Sequence, residues 1–321
     1  MKTAGDIKNI ALNTIKAETE AIKGLEKAID EDFAQVVQLL LESSGRVVVT
    51  GIGKSAIIAS KIVATLNSTG TPSVFMHAAD AIHGDLGVIQ KDDVVICLSK
   101  SGETAEIKVL VPLLRQKGNK LVALVGNRDS YLAKSADHIL DASVPKEACP
   151  NNLTPTSSTT AQLVLGDALA VALLECRGFT ASDFARLHPG GALGKQLYLR
   201  VADLYINNEV PQVGPDTDIR KVILEISKKR LGATAVTIDG RLAGIITDGD
   251  LRRMLEKNTE ISNITAKDIM TRSPRTIQAD SLVVEALAIM RNNNITQLPV
   301  LDKDKYVGVI HLHDILKEGI L

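Results

Sequence analysis

Five short apolar runs, separated by segments of helical periodicity, place the strongest limit on how this chain can fold. The runs cover residues 47–50, 73–76, 94–98, 121–125 and 138–140. Continuous apolar runs of this length are typical of strands that helices cover on both faces. The intervening pattern predicts helices over 55–67, 103–116, 131–136 and 157–176, with two more before the first strand. The sequence therefore predicts an α/β fold, a doubly wound parallel five-stranded sheet.

The C-terminal part of the chain carries an internal repeat with a fixed offset of 64 residues, as between Asp216 and Asp280 or Gly244 and Gly308. Each copy has the pattern of a helix, a strand, a hairpin, a strand and a helix. A copy of about 50 residues buries little apolar surface by itself, so we expect the two to pack as a pair. The predicted boundaries are 1–200 for the first domain, with a core over 34–177, and 204–262 and 268–321 for the copies.

Composition excludes several classes of protein. The net charge is -1 and aromatic residues make up 2% of the chain, so neither a basic field nor stacking platforms would attract nucleic acid. The three cysteines, without a CxxC pair, indicate neither a disulfide framework nor structural zinc. We expect a cytoplasmic protein without a membrane partner, because no apolar run reaches the roughly 18 residues of a membrane span.

The segment Gly51-Ile52-Gly53-Lys54-Ser55 follows the first predicted strand and opens a helix. It fails the Walker A pattern, and no acidic residue closes the second strand as a dinucleotide fold requires. Glycines still let a ligand approach the backbone, and a helix N-terminus offers unpaired N–H groups. Lys54 there is either a solvated turn lysine or a cation that reaches an anionic ligand.

A second polar loop follows the third strand, and its hydroxyl, glycine and acidic residues are Ser99, Ser101, Gly102, Glu103 and Thr104. Three hydroxyls and a fresh helix N-terminus suit the oxygens of a phosphate. Serine and threonine are equally common as helix caps, so the loop alone leaves both interpretations open. Glu106 in the next turn is either a first-turn acid that complements the helix dipole or a catalytic carboxylate.

Further candidates lie in loops at the predicted carboxyl edge of the sheet and beyond it. His77 ends the second strand, and His83 follows in a polar loop at the edge where open α/β folds bind ligands. His188 lies in a turn rich in glycine and proline, a suitable place for a general acid or base. Glu147 follows the fifth strand, and the sequence favours neither a catalytic nor a solvated role for it.

These motifs occur together in a recognisable order. GxGKS, SGET and the hydroxyl-rich TPTSSTT resemble the sugar isomerase (SIS) domain, which is flavodoxin-like. With AIHGDLG, KEACP, GDALAVALLE and HPGGALG, the chain resembles more narrowly the D-arabinose 5-phosphate isomerase family. In the repeats, GIITDGDL and GVIHLHDIL resemble the strand-to-helix turns of cystathionine β-synthase (CBS) domains. That family carries a tandem CBS pair after its SIS domain, so the resemblance covers nearly the whole chain.

The resemblance implies interconversion of D-ribulose 5-phosphate and D-arabinose 5-phosphate through an enediolate, feeding KDO and lipopolysaccharide biosynthesis. It implies a homotetramer, no required cofactor and an inhibitory zinc ion at His77. The positions that match the family's catalytic set are Lys54, Glu106, Glu147 and His188. The expected substrate-binding residues are Gly53, Ser55, Gly70, Thr71, His77, His83, Ser99, Ser101, Gly102 and Thr104.

In the repeat pair, the family pattern uses a threonine and an aspartate to bind the ribose of a nucleotide or nucleotide sugar. The first copy keeps Thr247 and Asp250, whereas the second keeps Asp314 but has His311 in place of the threonine. The pair is therefore either regulatory or purely architectural. Two rival functions remain open: a non-catalytic sugar-phosphate sensor, and an SIS isomerase of another sugar phosphate.

Overall fold

A computed structural model describes residues 2–257, 261 and 263–320, and the predicted boundaries at 262 and 321 lie outside these residues. The chain divides into two compact units, Met1–Phe184 and Ala185–Leu321. Each unit is described separately below.

The first unit is built on a single sheet with helices on both faces. Its strands are β1 (Val47–Gly51), β2 (Ser73–His77), β3 (Val94–Ser99), β4 (Lys120–Val125) and β5 (His138–Asp141). They run parallel in the order β2-β1-β3-β4-β5. Its helices are α1 (Ala4–Gly24), α2 (Glu31–Glu42), α3 (Lys54–Ser68), α4 (Ala78–Ala81), α5 (Ala105–Lys117), α6 (Tyr131–Ser135) and α7 (Ser157–Cys176), with 3-10 turns at Leu25–Ala28 and Asp85–Val88. The predicted doubly wound five-stranded sheet is confirmed.

Alternation along the strands divides the apolar residues between two cores. Val47 and Val49 of β1 face one core, which α2, α3 and α7 cover, while Val48 faces a second core covered by α5. Successive strand residues point to opposite faces, so strands covered on both sides must be apolar throughout. This double burial is why the strands read as continuous runs.

Helix α7 is by length and composition apolar enough to cross a membrane. Its apolar side chains belong to the folded unit, since Leu165, Leu169 and Leu173 are buried in the core on α3 and α2. Packing inside the unit accounts for its composition.

The strand order determines where a ligand can bind in the first unit. Because β1 has β2 on one side and β3 on the other, the chain leaves β1 and β3 in opposite directions along the sheet. A crevice opens at such a switch point, at the carboxyl ends of the strands. The segments that follow β1 and β3, residues 52–53 and 100–104, lead into α3 and α5 there.

The second unit contains the two repeats. Copy one comprises β6 (Gln212–Val213), α11 (Ile219–Lys229), β7 (Ala233–Ile238), β8 (Arg241–Thr247) and α12 (Asp248–Lys257). Copy two comprises β10 (Ile277–Gln278), α14 (Val283–Asn293), β11 (Gln297–Asp302), β12 (Lys305–His311) and α15 (Leu312–Lys317). The remaining elements are α8 (Ala181–Leu187), within which the units divide, α9 (Ala192–Tyr198), α10 (Val201–Tyr205), α13 (Ala266–Ile269) and β9 (Thr271–Arg272). Both hairpins shift register at equivalent points, after Val236 and after Val300.

The segment that precedes each copy packs against the other copy. Tyr205, which precedes copy one, lies against Gly308 of copy two, where an added Cβ would come within 2.9 Å of its ring. Met270, which precedes copy two, lies against Gly244 of copy one, where a Cβ would meet the sulfur at 2.8 Å. This exchange ties the copies into one unit.

The compact units divide at residue 184, earlier than the sequence-based boundary at 200. The reason lies in the packing of the connecting segment. Lys195 forms an ion pair of 2.8 Å with Glu318, and the carbonyl of Leu199 accepts a hydrogen bond from the N–H of Val283. These contacts attach α9 and its neighbours to the second repeat, which periodicity alone does not reveal.

Candidate active site

The turn after β1 brings a lysine to the crevice. Gly53 caps α3 with φ of 59°, a left-handed conformation that favours glycine, and Lys54 begins the helix. Gly51 is tightly enclosed, since an added Cβ would lie 3.2 Å from the backbone of Leu98. The exposed Lys54 side chain therefore stands at a helix N-terminus, where its charge is unfavourable unless an anion is bound.

The loop after β3 is held in shape by its own serines. Ser99 Oγ accepts a hydrogen bond of 3.0 Å from the N–H of Gly102, and Ser101 Oγ accepts one of 3.3 Å from the N–H of Glu103. Gly102 has φ of 66°, and a Cβ there would lie 2.2 Å from Ser130 Oγ. Both serines thus hold the loop in shape, but neither caps α5, which begins at Ala105.

Thr104 differs from these serines. It occupies the N-cap position of α5 but makes no side-chain capping hydrogen bond. Its hydroxyl is buried and has no hydrogen-bond partner within the described part of the chain. Buried hydroxyls normally have partners, because an unmade hydrogen bond costs about 1–3 kcal/mol. The side chain lines the crevice, so a ligand there would supply the missing partner.

The two turns and the start of α7 enclose a cavity of about 280 Å³. Ser55 is oriented in it by a 3.2 Å hydrogen bond to the buried Gln162. The polar groups that line the cavity are hydroxyls and ammonium groups, and none of the lining side chains is a carboxylate. Such a lining suits a phosphate dianion. The polar residues of this wall are Lys54, Ser55, Ser99, Lys100, Ser101, Thr104, Ser158 and Thr159.

Glu147 lies behind this wall with its side chain fully buried. Its Oε1 accepts a 2.5 Å hydrogen bond from Ser158 Oγ, and its Oε2 accepts one of 2.8 Å from the N–H of Thr156. Weaker bonds come from Thr156 Oγ1 and the N–H of Ser158. Burial raises the pKa of Glu147, but the bonds from Lys100, Ser158 and Thr156 outweigh it and lower the pKa to about 2.

Lys100 connects this carboxylate to the cavity. Its Nζ lies 2.6 Å from Glu147 Oε1, and 45% of its side chain is exposed. Its backbone is fixed, because its carbonyl accepts a 3.1 Å hydrogen bond from the N–H of Gly126. A Cβ at Gly126 would come within 2.9 Å of that carbonyl oxygen. Lys100 therefore has a partly exposed side chain on a backbone that is held in place.

The other residues predicted for this edge are not among those that line the cavity. Glu106 lies half-buried in the first turn of α5, one residue beyond Ala105. His77 ends β2, and its Nδ1 lies 3.7 Å from Asp80 Oδ2, too far for a hydrogen bond. His77 and Gly53 line a wide depression of about 570 Å³ along α3. His83 is exposed in the turn after α4.

Gly70 and Thr71 are not brought to this cavity within one chain. They form the turn between α3 and β2, so they precede Ser73, whereas the ligand edge begins at His77. At about 3.3 Å per residue, β2 separates the two edges by roughly 13 Å. Gly70 has φ of 85° beside the ring of Phe179, and the buried hydroxyl of Thr71 contacts Arg177.

His188 belongs to the second unit and is described with it. It is half-buried in the turn after α8, where its N–H donates to the carbonyl of Ala185 at 3.2 Å. Gly194 closes the turn, because a Cβ there would lie 2.1 Å from the carbonyl oxygen of His188. The HPGGALG sequence thus fixes the backbone of this histidine.

The second unit contains a cleft of about 380 Å³ between the two repeats. The carboxylate of Asp250 accepts hydrogen bonds from the Thr247 N–H at 2.8 Å and hydroxyl at 2.7 Å, and from Arg253 at 2.6 Å. Arg253 and Arg275 both line the cleft, together with apolar side chains such as Ile245 and Ile295. Two guanidinium groups beside an apolar surface suit a ligand with a flat ring and an anionic group.

The corresponding carboxylate of the second copy is engaged internally. Asp314 Oδ2 accepts a 2.7 Å hydrogen bond from Asn208 Nδ2 and a 3.0 Å bond from the N–H of His311. His311 also stacks on His313 with ring centroids 5.0 Å apart. This local network makes the second turn differ from the first in more than the loss of a threonine.

Sequence reasoning assigned no role to several residues that the fold places at these sites. Lys100 was visible only as part of the loop, and Ser158 only within a hydroxyl-rich run. The contacts of both with Glu147 depend on the segment 144–156 folding back onto the loop after β3, which no local pattern reveals. Arg253, one turn beyond Asp250 on α12, could have been found from helical spacing.

Comparisons with known proteins agree with this architecture. A model of the SIS domain matches residues 40–172, and one of the CBS domain matches 201–257 and 266–320. The arabinose 5-phosphate isomerase KdsD of Pseudomonas aeruginosa is 50% identical, covering 98% of both chains. KdsD of Escherichia coli K12 is 43% identical, covering 98% of this chain and 97% of its own.

Two solved structures resemble the first part of the chain. An Escherichia coli CFT073 protein in complex with arabinose 5-phosphate is 43% identical, covering 59% of this chain and 100% of its own, with a TM-score of 0.55. A putative sugar-phosphate isomerase of Listeria monocytogenes is 36% identical over the same shares, with a TM-score of 0.57. With relatives of such identity over nearly its whole length, this chain belongs to the arabinose 5-phosphate isomerase family, an SIS domain followed by a CBS pair.

Proposed function

We propose that the protein interconverts D-ribulose 5-phosphate and D-arabinose 5-phosphate in the crevice of its first unit. One observation carries the placement of the substrate: the buried, unpartnered hydroxyl of Thr104 in a cavity lined, within the described residues, by hydroxyls and two lysines. A phosphate there would accept a hydrogen bond from Thr104 and neutralise the charge of Lys54 at the start of α3. The related protein solved with arabinose 5-phosphate supports a ligand of this class.

The chemistry requires removal of a proton beside a carbonyl and its return to the neighbouring carbon. We assign the removal to one of two carboxylates, Glu106 or Glu147, and the transfer of protons between the sugar oxygens to His188. A positioned acid or base supplies roughly 10²- to 10⁴-fold. Lys54 would stabilise negative charge on the enediolate oxygen. Only protons move in this reaction, so it uses no redox cofactor.

Some predicted substrate contacts need a second chain under this proposal. Gly70 and Thr71 lie at the other edge of the sheet, so they could meet a substrate only from a neighbouring subunit. From the family relationship we propose a homotetramer, with His188 facing the site of a neighbour. Light scattering on the purified protein tests the assembly: a mass of four chains is expected, and a monomer would contradict it.

We place the enzyme in the cytoplasm, where its product would feed KDO and lipopolysaccharide biosynthesis. The support is the family relationship to enzymes named KdsD. Deleting the gene in its host and feeding arabinose 5-phosphate tests this role. Restoration of lipopolysaccharide by the sugar phosphate is expected, and normal lipopolysaccharide without it would contradict the placement.

For the second unit we propose that the cleft beside Asp250 binds a nucleotide or nucleotide sugar. The Thr247 and Asp250 pair is suited to a ribose, and Arg253 and Arg275 are suited to phosphates. In copy two, Asn208 already occupies the carboxylate of Asp314. We therefore propose that the two repeats of a chain together bind one nucleotide.

His77 is proposed as the position of an inhibitory zinc ion. In the described part of the chain, no group of three or more histidine, cysteine or acidic side chains is arranged to hold a metal. His77 and Asp80 offer two donors, fewer than a resident zinc uses, which suits reversible inhibition. His77→Ala should leave an enzyme that added zinc no longer inhibits through this position; unchanged zinc sensitivity would reject the assignment.

A further inference from the structure

The ion pair between Lys100 and Glu147 poses a problem for catalysis. Glu147 is one of the two candidate bases, yet both of its oxygens are fully engaged in this structure. Oε1 is covered by the ammonium of Lys100 at 2.6 Å and by the hydroxyl of Ser158 at 2.5 Å. The side chain has no exposed surface, so a carbon-bound proton can reach Oε1 only if a donor moves away.

Lys100 is the most exposed of these donors. Ser158 sits in the first turn of α7 with 2% of its surface exposed, and the bonds from Thr156 come from the backbone and a half-buried hydroxyl. The Lys100 side chain is 45% exposed and lines the same cavity as Ser101 and Thr104. A flexible four-carbon stem lets the ammonium exchange partners while its backbone stays in place.

We propose that Lys100 is a positioning residue that couples phosphate binding to the availability of Glu147. Its ammonium, which pairs with Glu147 in this structure, transfers to the phosphate of the bound sugar and so frees Oε1 to accept the carbon-bound proton. This inference rests on the proposed function and selects Glu147 over Glu106 as the base. A dianionic phosphate competes well for a lysine held by a single carboxylate charge.

The resulting proton transfer is balanced. The C–H bond beside the carbonyl breaks, its electron pair forms the carbon–carbon double bond of the enediolate, and the proton goes to Glu147 Oε1. The carbonyl oxygen becomes the enediolate oxygen beside Lys54. His188 transfers the proton of the neighbouring hydroxyl to that oxygen, Glu147 returns its proton to the former carbonyl carbon, and the C=O bond forms at the neighbouring carbon. Lys100 pairs with the carboxylate again when the sugar phosphate leaves.

Other charged groups near Glu147 do not replace Lys100 in this role. Lys54 faces the same cavity from α3. Lys146 and Cys149 line a hollow of about 320 Å³ that borders Glu147. On α1, Glu18 accepts a 3.2 Å hydrogen bond from Thr160 of α7. Among the cations of the described residues, Lys100 alone forms an ion pair with this carboxylate.

Steady-state kinetics over pH provide the test. The profile of kcat/KM reports groups in the free enzyme, and that of kcat reports groups in the complex. In the wild type we expect the pKa that Glu147 contributes to the kcat profile to be higher than the pKa that it contributes to the kcat/KM profile. In Lys100→Met we expect the acid limb of kcat/KM to move up by at least about one pH unit and KM to rise at least about tenfold. Lys100→Arg should restore much of both.

Lys120→Met is the matched control, because Lys120 lies at the start of β4 and pairs with Asp137 at 3.6 Å. It should keep wild-type profiles. The ionisation of the free substrate's phosphate near pH 6 contributes equally to kcat/KM in all variants, so the shift is read from differences between their kcat/KM profiles. An inactive, folded wild type would reject the proposed function, whereas an active wild type whose profiles match those of Lys100→Met would reject only this inference.

A second measurement does not require Lys100→Met and uses Glu147→Gln only to assign a resonance. Wild-type protein labelled with ¹³C at glutamate carboxyls is titrated with inorganic phosphate, and the Glu147 resonance is identified by its loss in Glu147→Gln. Phosphate should shift this resonance and raise its apparent pKa by at least about one unit. A resonance that phosphate leaves unchanged would overturn the coupling.

Discussion

Lys100 Nζ lies 2.6 Å from Glu147 Oε1, and this contact joins the loop after β3 to the loop after β5. The carboxylate end of the pair is fully buried, while the lysine is partly exposed. Buried carboxylates persist only when hydrogen bonds compensate for lost hydration, and Glu147 has donors from Lys100, Thr156 and Ser158. The pair thus connects the two loops, and Lys100 also lines the crevice.

The stability of the protein should depend on pH through Glu147. Its pKa is about 2 in the folded protein against an ordinary value of 4.5, so its contribution is complete above pH 4.5 and is lost as the pH falls toward 2. The full difference corresponds to roughly 3 kcal/mol. The free energy of unfolding, measured in urea, should therefore decrease less between pH 6 and about pH 3 for Glu147→Gln than for the wild type.

The exposed Glu26→Gln provides the control for that experiment, and it should follow the wild-type curve. If Glu147→Gln loses as much unfolding free energy on acidification as the wild type, the buried ion pair does not have the strength described here.

Replacing Thr104 by valine tests the phosphate site directly. The change keeps the shape of the side chain and removes its unpartnered hydroxyl, so the unfolding free energy should stay equal or rise slightly. Loss of a hydrogen bond to a charged phosphate, worth about 1.5–3 kcal/mol, should lower kcat/KM by roughly 10- to 150-fold. Thr234→Val, which removes another buried unpartnered hydroxyl in β7, should leave kcat/KM unchanged. Equal activity of Thr104→Val and wild type would place the phosphate elsewhere.

Alanine substitutions at Gly102 and Gly118 separate the cost of a left-handed backbone from the cost of a steric clash. Both have left-handed backbones, with φ of 66° and 80°. A Cβ at Gly102 would lie 2.2 Å from Ser130 Oγ, whereas at Gly118 it meets no atom within 4 Å. Gly118→Ala should lose about 1 kcal/mol of unfolding free energy and keep its activity. Gly102→Ala should be destabilised further and lose most of its affinity for arabinose 5-phosphate; identical effects of the two would contradict the loop geometry.

Nucleotide binding to the second unit should distinguish the two repeats. Calorimetry with AMP, ADP and ATP on the full chain is expected to find one site per chain. Asp250→Ala should weaken that binding at least about tenfold, because it removes the carboxylate positioned by Thr247 and Arg253. Asp314→Ala should leave it unchanged, since Asp314 is not among the residues that line the cleft and its turn has His311 in place of the threonine. Equal losses in both variants would mean that both copies bind.

The fold could be predicted largely because its signals are local. Strands buried on both faces are continuous apolar runs, and β1 to β5 begin and end within about one residue of the predicted positions. The repeat offset predicted the elements of both copies. The exchange of Tyr205 and Met270 between copies was not visible, because it depends on which surface each leading segment packs against.

The site was only partly accessible to sequence reasoning. The glycine-rich turn with Lys54 and the loop ending at Thr104 are contiguous motifs, so their neighbourhood follows from strand order. Lys100, the ion-pair partner of Glu147, lies in a different loop. No sequence pattern indicates that the Glu147 side chain is fully buried. The motif match that identified the family also gave no hint that Gly70 and Thr71 lie at the opposite edge of the sheet.

The central claim is tested most directly by one assay on the purified, folded protein. Ribulose 5-phosphate is incubated with the enzyme, and arabinose 5-phosphate is followed over time by NMR. We predict that arabinose 5-phosphate appears and that its C2 position acquires deuterium from D₂O where the base exchanges with solvent. No arabinose 5-phosphate from a folded, correctly assembled protein would contradict the account and favour a non-catalytic sugar-phosphate sensor.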